Sequence, residues 1–253
     1  MKRLLPLVVL AGCGAGASAN VGAPPAPVTL FSAAVGKIVL EIDYQPNAEP
    51  YTGSIGSFAD VWQITAANVA RLFQHSSKQV TLPTALSQME PLADIGSGPF
   101  SQEHILDIAS QHRGTPSTGD TAAFYVVFLD GYFTDGDGTN QQTLGVSIGR
   151  TGVIAMFKPA IKDTGFGKYV EQSTLVHELG HAMGLVNDGV PMVNAHEDIS
   201  HPAHCTNAKC VLYWQNEGAG SAVGFVQETL VSGSTILYGS ECLDDADALA
   251  QSS

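Results

Sequence analysis

The chain has 253 residues, with 24 acidic against 11 basic side chains, a formal net charge of −13 and 44% hydrophobic residues. That acidity argues against nucleic acid and anionic lipid headgroups as partners, and the length suits one domain with a sizeable core. No internal repeat is visible.

Lys2 and Arg3 precede a short apolar run, Leu4 to Leu10, which ends in Leu10-Ala11-Gly12-Cys13. The run is too short to cross a bilayer and reads as the core of a signal peptide, residues 1–12, so the mature chain is expected to be exported. From Gly14 to about Val35 the sequence is Gly, Ala, Pro and Ser with almost no charge. That composition suits a flexible tether over 13–35, followed by a folded body at 36–253.

Lys37 to Tyr44 alternates Ile38, Leu40 and Ile42 on one side and predicts a half-buried strand. Val61 to Phe73 has helical spacing, a short strand fits around Val80, and Ser101 to Gln111 predicts a helix with Ser101 as its cap. Ala122 to Leu129 is apolar on both faces, the pattern of a central strand, and Leu144 to Ile148 and Val153 to Phe157 follow as two more. Between them, Asp130 to Asn140 is rich in Asp and Gly but breaks the EF-hand pattern, because Thr139 and Asn140 stand where Asp or Asn and then Gly are required. It reads as turn chemistry.

The stretch Ser173 to Asp188, STLVHELGHAMGLVND, carries the chemistry. On a helix, His177 and His181 stand at i and i+4, so both imidazoles project from one face and can share one tetrahedral zinc ion. Glu178, beside the first histidine, is placed to act as a general base without ligating. Leu175, Leu179, Ala182 and Val186 form an apolar stripe that the core should grip. Gly184 tolerates a left-handed backbone and should end the helix in a sharp turn. Chance would produce HELGH in on the order of one chain in a hundred of this composition, so coincidence is the weaker reading.

These residues resemble the metzincin clan of zinc peptidases, whose signature HExxHxxGxxH/D is matched by His177, Glu178, His181 and Gly184. Asn187 occupies the position of the third ligand, and a neutral amide is a poor zinc ligand. The later segment His204-Cys205, four residues, Cys210-Val211-Leu212 resembles the HC-x4-C-x-M segment of archaemetzincin-like members, displaced by an insertion of about twenty residues, Leu185 to Ala203, and with Leu212 in place of the methionine. His204 is therefore the expected third ligand, with His196, His201 and Asp188 as alternatives. The resemblance implies an α/β (α+β) fold: a mixed twisted sheet with packed helices over the active-site helix, forming an upper lobe of about 36–184. A small irregular C-terminal lobe, about 185–253, follows. It further implies that the strand Leu144 to Ile148 lines the cleft and pairs with an extended substrate.

The resemblance also implies the activity, a zinc endopeptidase with one catalytic ion, acting on peptide or protein substrates. Glu178 would take the proton of a water polarised on zinc and pass it to the leaving amine. An inactive binding protein of the same fold, or an amidase of small or cell-wall peptides, is the alternative. Leu10 to Cys13 resembles the bacterial lipoprotein cleavage box, which implies lipidation of Cys13 and contact with a membrane through that anchor alone. If Cys13 is lipidated, Cys205, Cys210 and Cys242 remain, and a Cys205–Cys210 disulfide is the simplest expectation in an oxidising compartment, with Cys242 as competing partner. Archaemetzincin-like proteins carry a second, four-cysteine zinc site that uses a later CxxC. Only Cys242 stands in that region, so that site is not expected.

Overall fold

The computed structural model describes residues 22–56, 58–93 and 95–252. The signal peptide and Cys13 lie outside the described residues. Within the expected tether, Pro27–Phe31 forms a short helix, α1, and Leu30, Phe31 and Val35 are buried. The end of that segment thus belongs to the core: Phe31 packs on Phe73 with ring centroids 5.0 Å apart. The prolines and glycines of the tether outweigh two bulky side chains in composition, which is why its packed end was not evident.

The sheet has six strands. β1 (Lys37–Tyr44) pairs in parallel with β2 (Gln79–Thr81), with the two-residue β3 (Glu90–Pro91) and with β4 (Thr121–Leu129). A small hairpin, β5 (Phe133–Asp135) and β6 (Gly138–Asn140), fills the Asp/Gly-rich stretch and leaves the main sheet. β7 (Gly145–Ser147) is antiparallel to β8 (Val153–Phe157), which is parallel to β4, giving the order β2-β1-β4-β8-β7. β4 is central and, from Ala122 to Leu129, buried throughout, as a strand flanked on both sides in a parallel sheet must be. β7 ends the sheet.

Helices α2 (Gln63–Leu72), α3 (Gln102–His112) and α4 (Lys158–Asp163) accompany the strands, and Ser101 caps α3 by accepting from the His104 N–H at 3.2 Å. The fold is mixed α/β with a mostly parallel sheet, as expected. α5 (Gly167–Ala182) carries the two histidines, begins six residues before the stretch singled out by spacing, and packs on β7 and β8. A buried ion pair fixes its first half: Glu171 accepts from Lys158 Nζ and, at 2.7 Å, from the Tyr51 N–H, while the Tyr51 ring covers the ammonium at 3.4 Å. Removing one partner of such a pair costs about 3–5 kcal/mol, because the other charge stays buried. Beyond α5 the chain is irregular to Tyr213, makes one 3-10 turn at Trp214–Glu217, and ends in α6 (Ala219–Ser232) and α7 (Ser240–Gln251).

Candidate metal centre

α5 is interior on nearly all sides, so His177 and Glu178 are almost fully buried and His181 is partly exposed at the cleft. At its end Gly184 adopts φ +79°, and a Cβ there would stand 2.4 Å from Pro27 Cγ and 2.5 Å from the Asp188 carbonyl oxygen. Only glycine meets both demands. The chain then turns back and delivers His204.

His177 Nε2 and His181 Nε2 lie 3.0 Å apart, and both are grouped with His204 Nε2 and a carboxylate oxygen of Glu217, all four atoms within 4.8 Å of one another. Two imidazoles on a tetrahedral zinc at 2.0–2.1 Å would place their nitrogens about 3.3 Å apart, close to what is seen. Two other contacts fix the rings. His177 Nδ1 donates to the Val211 carbonyl at 2.7 Å and His204 Nδ1 to that of Pro202 at 3.1 Å, which turns the Nε2 lone pairs toward the common point. His204 Nε2 is buried and 2.9 Å from Glu217 Oε1, near enough for an ion pair but not aligned as a hydrogen bond. A donor set of three converging imidazoles with one poorly satisfied nitrogen fits zinc.

The electrostatics agree. Burial, and then the charge of His204, push His177 down to about 4, so its imidazole is neutral at physiological pH, the form a metal would take. Burial pulls His204 down too, but the Glu217 carboxylate outweighs this and holds it above its ordinary value. Glu178 is pushed up to about 8 by burial and then by Glu217, against the Ser147 backbone N–H of β7 that faces its carboxylate. A cation among the histidines would reverse much of that rise. Gly145 of β7 is the close approach: a Cβ there would meet Glu178 Cγ at 3.0 Å.

The other candidates for the third ligand go elsewhere. Asn187 Nδ2 donates to Glu197 Oε2 at 2.7 Å, Asp188 pairs with Arg150 at 3.0 Å, and His201 pairs with Asp198 and stacks on Trp214 at 4.0 Å. His196 Nδ1 lies 3.4 Å from Cys205 Sγ, and its Nε2 faces Asp245 Oδ2 at 2.7 Å. Glu217 is a member of the histidine group that spacing could not reveal, because it sits 13 residues past His204 on a separate 3-10 turn.

The cysteines differ from expectation. Cys205, Cys210 and Cys242 are all buried and free. No Cys205–Cys210 disulfide forms, because Cys210 is shared with Cys242, its Sγ 3.5 Å from the Cys242 Sγ, while Cys205 also turns toward His196. Hydrogen bonds from Cys210 and Cys242 hold the Cys205 thiol far below its ordinary value, and backbone N–H groups of Asn207 and Gly239 point at the Cys205 and Cys210 sulfurs at 3.4 and 3.1 Å. Ligand atoms of His196, Cys205 and Cys242 lie within 4.8 Å of one another, and Cys210 is in contact with both other thiols.

No protein-family profile matches the chain, and no curated protein does. Among solved structures, a zinc-dependent peptidase from Methanocorpusculum labreanum (strain Z) is similar over 82% of this chain and 99% of its own, at 12% identity and a TM-score of 0.42.

Proposed function

We propose that the chain is a zinc-dependent endopeptidase of metzincin type, exported and held to a bacterial membrane through a lipid on Cys13. One observation carries the reading: three imidazole nitrogens converge at one point, and the adjacent Glu178 is pinned between that point and the last strand of the sheet.

When bound by His177, His181 and His204, the ion supplies polarisation of a carbonyl and acidification of a water. Glu178 takes the proton of the attacking water and returns it to the leaving amine. Its carboxylate is held for this by the Ser147 N–H and by the contact of its Cγ with Gly145. Among the described residues β7 is paired with a strand on one side only, and an extended peptide adds to its other edge through main-chain hydrogen bonds. Retention of a base beside the histidines favours catalysis over a binding role, since a structural zinc makes no use of one.

The second group, His196, Cys205 and Cys242, with Cys210 Sγ 3.5 Å from Cys242 Sγ, would suit a second ion, its histidine oriented by Asp245. Its role is to fix the loop that carries His204.

Metal analysis with peptide-mixture cleavage tests the reading. Glu178→Gln should keep zinc and lose hydrolysis by about 10²–10⁴-fold, and His204→Ala should lose the catalytic ion. Undiminished cleavage by Glu178→Gln would refute the assignment.

A further inference from the structure

The one-turn helix Trp214–Glu217 crosses the site instead of leaving it open. Glu217 Oε1 stands 2.9 Å from His204 Nε2, within the group formed by the three imidazoles, where it would offer a fourth ligand to an ion held there. The turn is tied at both ends. Asn216 Nδ2 donates to the carbonyls of Cys210 and Val211 at 3.1 and 3.0 Å, and that same Val211 carbonyl accepts from His177 Nδ1. On the far side Gly218 bridges to Thr143, two residues before β7, and the Ala219 N–H donates to the Gln142 carbonyl at 3.3 Å. Main-chain groups at the entrance to the cleft strand are thus taken by the chain itself.

We propose that Trp214–Ala219 is a latch: Glu217 fills the coordination position that water and substrate need, and the Gly218–Thr143 pairing occupies part of the peptide's place beside β7. The latch rests on the peptidase reading. The carboxylate suits a removable ligand, because its side chain is half exposed and regains water on leaving, unlike the buried His177 and His204. Gly218 and Gly220 flank it, and a Cβ at either would meet nothing within 4 Å, so the segment has room to pivot away. A fixed fourth protein ligand defines a closed, structural type of site, and a catalytic one keeps that position open. The retained Glu178 and the half-exposed Glu217 together describe a site that alternates between the two.

The test uses the full chain loaded with cobalt(II) in place of zinc, titrated with acetohydroxamate, a small bidentate metal ligand. Wild type is compared with Glu217→Gln and Glu217→Ala, which act at a half-exposed position. Expected are a changed visible absorption in both variants, hydroxamate binding tighter by at least about tenfold, and faster hydrolysis of a peptide mixture. Identical spectra and hydroxamate affinities in wild type and variants would overturn the latch. If hydroxamate binding tightens but no variant cleaves peptide, the latch stands and the peptidase reading falls. If wild type cleaves as fast as both variants, the latch falls and the peptidase reading stands. Failure of all three proteins to bind cobalt overturns both.

Discussion

Gly180 lies on α5 between the two histidines, and its replacement by alanine probes how rigidly the floor of the site is built. A methyl group there would stand 2.8 Å from Leu212 Cδ2, 3.0 Å from its Cδ1 and 3.2 Å from its Cγ. Leu212 is fully buried, so its methyls cannot simply swing aside. Helix propensity favours the alanine by about 1 kcal/mol, whereas overpacking a filled core costs about 1–3 kcal/mol. The expected net is a loss of about 1 kcal/mol, read by calorimetry as a fall in Tm of about 2–4 °C. Leu212 also accepts from the Cys205 N–H at 2.7 Å, so pushing it moves the residue next to His204, and zinc affinity by chelator competition should fall about tenfold. Leu212→Ala alone leaves a cavity costing about 2–5 kcal/mol, but together with Gly180→Ala the added methyl enters that space. The double variant should therefore be more stable than the sum of the single effects by about 1 kcal/mol. A raised Tm in Gly180→Ala with unchanged zinc affinity, or strict additivity in the double variant, would refute the packing account.

Asp43 is buried, donated to by the Tyr125 hydroxyl at 2.8 Å, and raised from 3.8 to about 7 by burial, with Glu41 and Glu90 adding to the rise and the Tyr125 bond opposing it. A carboxyl raised in the folded state contributes stability that is whole below the unfolded value and is lost as pH climbs through the folded one, here between about 4 and 7. Asp43→Asn removes the charge and keeps an acceptor for Tyr125, so its stability advantage over wild type should grow by about 2 kcal/mol from pH 5 to pH 8 in urea unfolding; a constant difference would contradict the assignment. Asp245 accepts from the Val193 N–H at 2.6 Å and faces His196 Nε2. Asp245→Asn should therefore lower affinity for the second ion by about 10–100-fold while leaving the histidine site loaded, and equal loss at both sites would remove the orienting role.

The parts of this structure that spacing reveals are those whose contacts are local. HELGH on α5 and the unbroken apolar run of β4 follow from periods of 3.6 and 2, and both stand where expected. Turn chemistry accounts for the tight turn of the β5–β6 hairpin but not for its two strands, which lie inside the stretch read as turn. His204 was reachable through a family pattern, but its position depends on how the insertion closes on itself. The His204 carbonyl accepts from the Asp198 N–H at 2.7 Å, the His196 carbonyl accepts from the Thr206 N–H at 2.8 Å, and Glu197 ties Ala203 to Asn187, so the loop returns to its starting point. Such closure leaves no periodic trace. The same applies to His196, which reaches the cysteines because that ladder sets it beside Cys205, and to Glu217, which owes its place to Asn216 and Gly218 anchoring a single 3-10 turn.

His204 and Cys205 are neighbours in the chain, yet they turn to different clusters, since Cys205 is in extended pairing with both Glu197 and Tyr213 and successive side chains in extended backbone face opposite ways. Parity of residue count is consequently a property this loop must keep. Inserting one residue between His204 and Cys205 would turn both side chains to the same face and take a donor from one of the two clusters, whereas changes of length farther back, around Ile199, would leave the alternation intact.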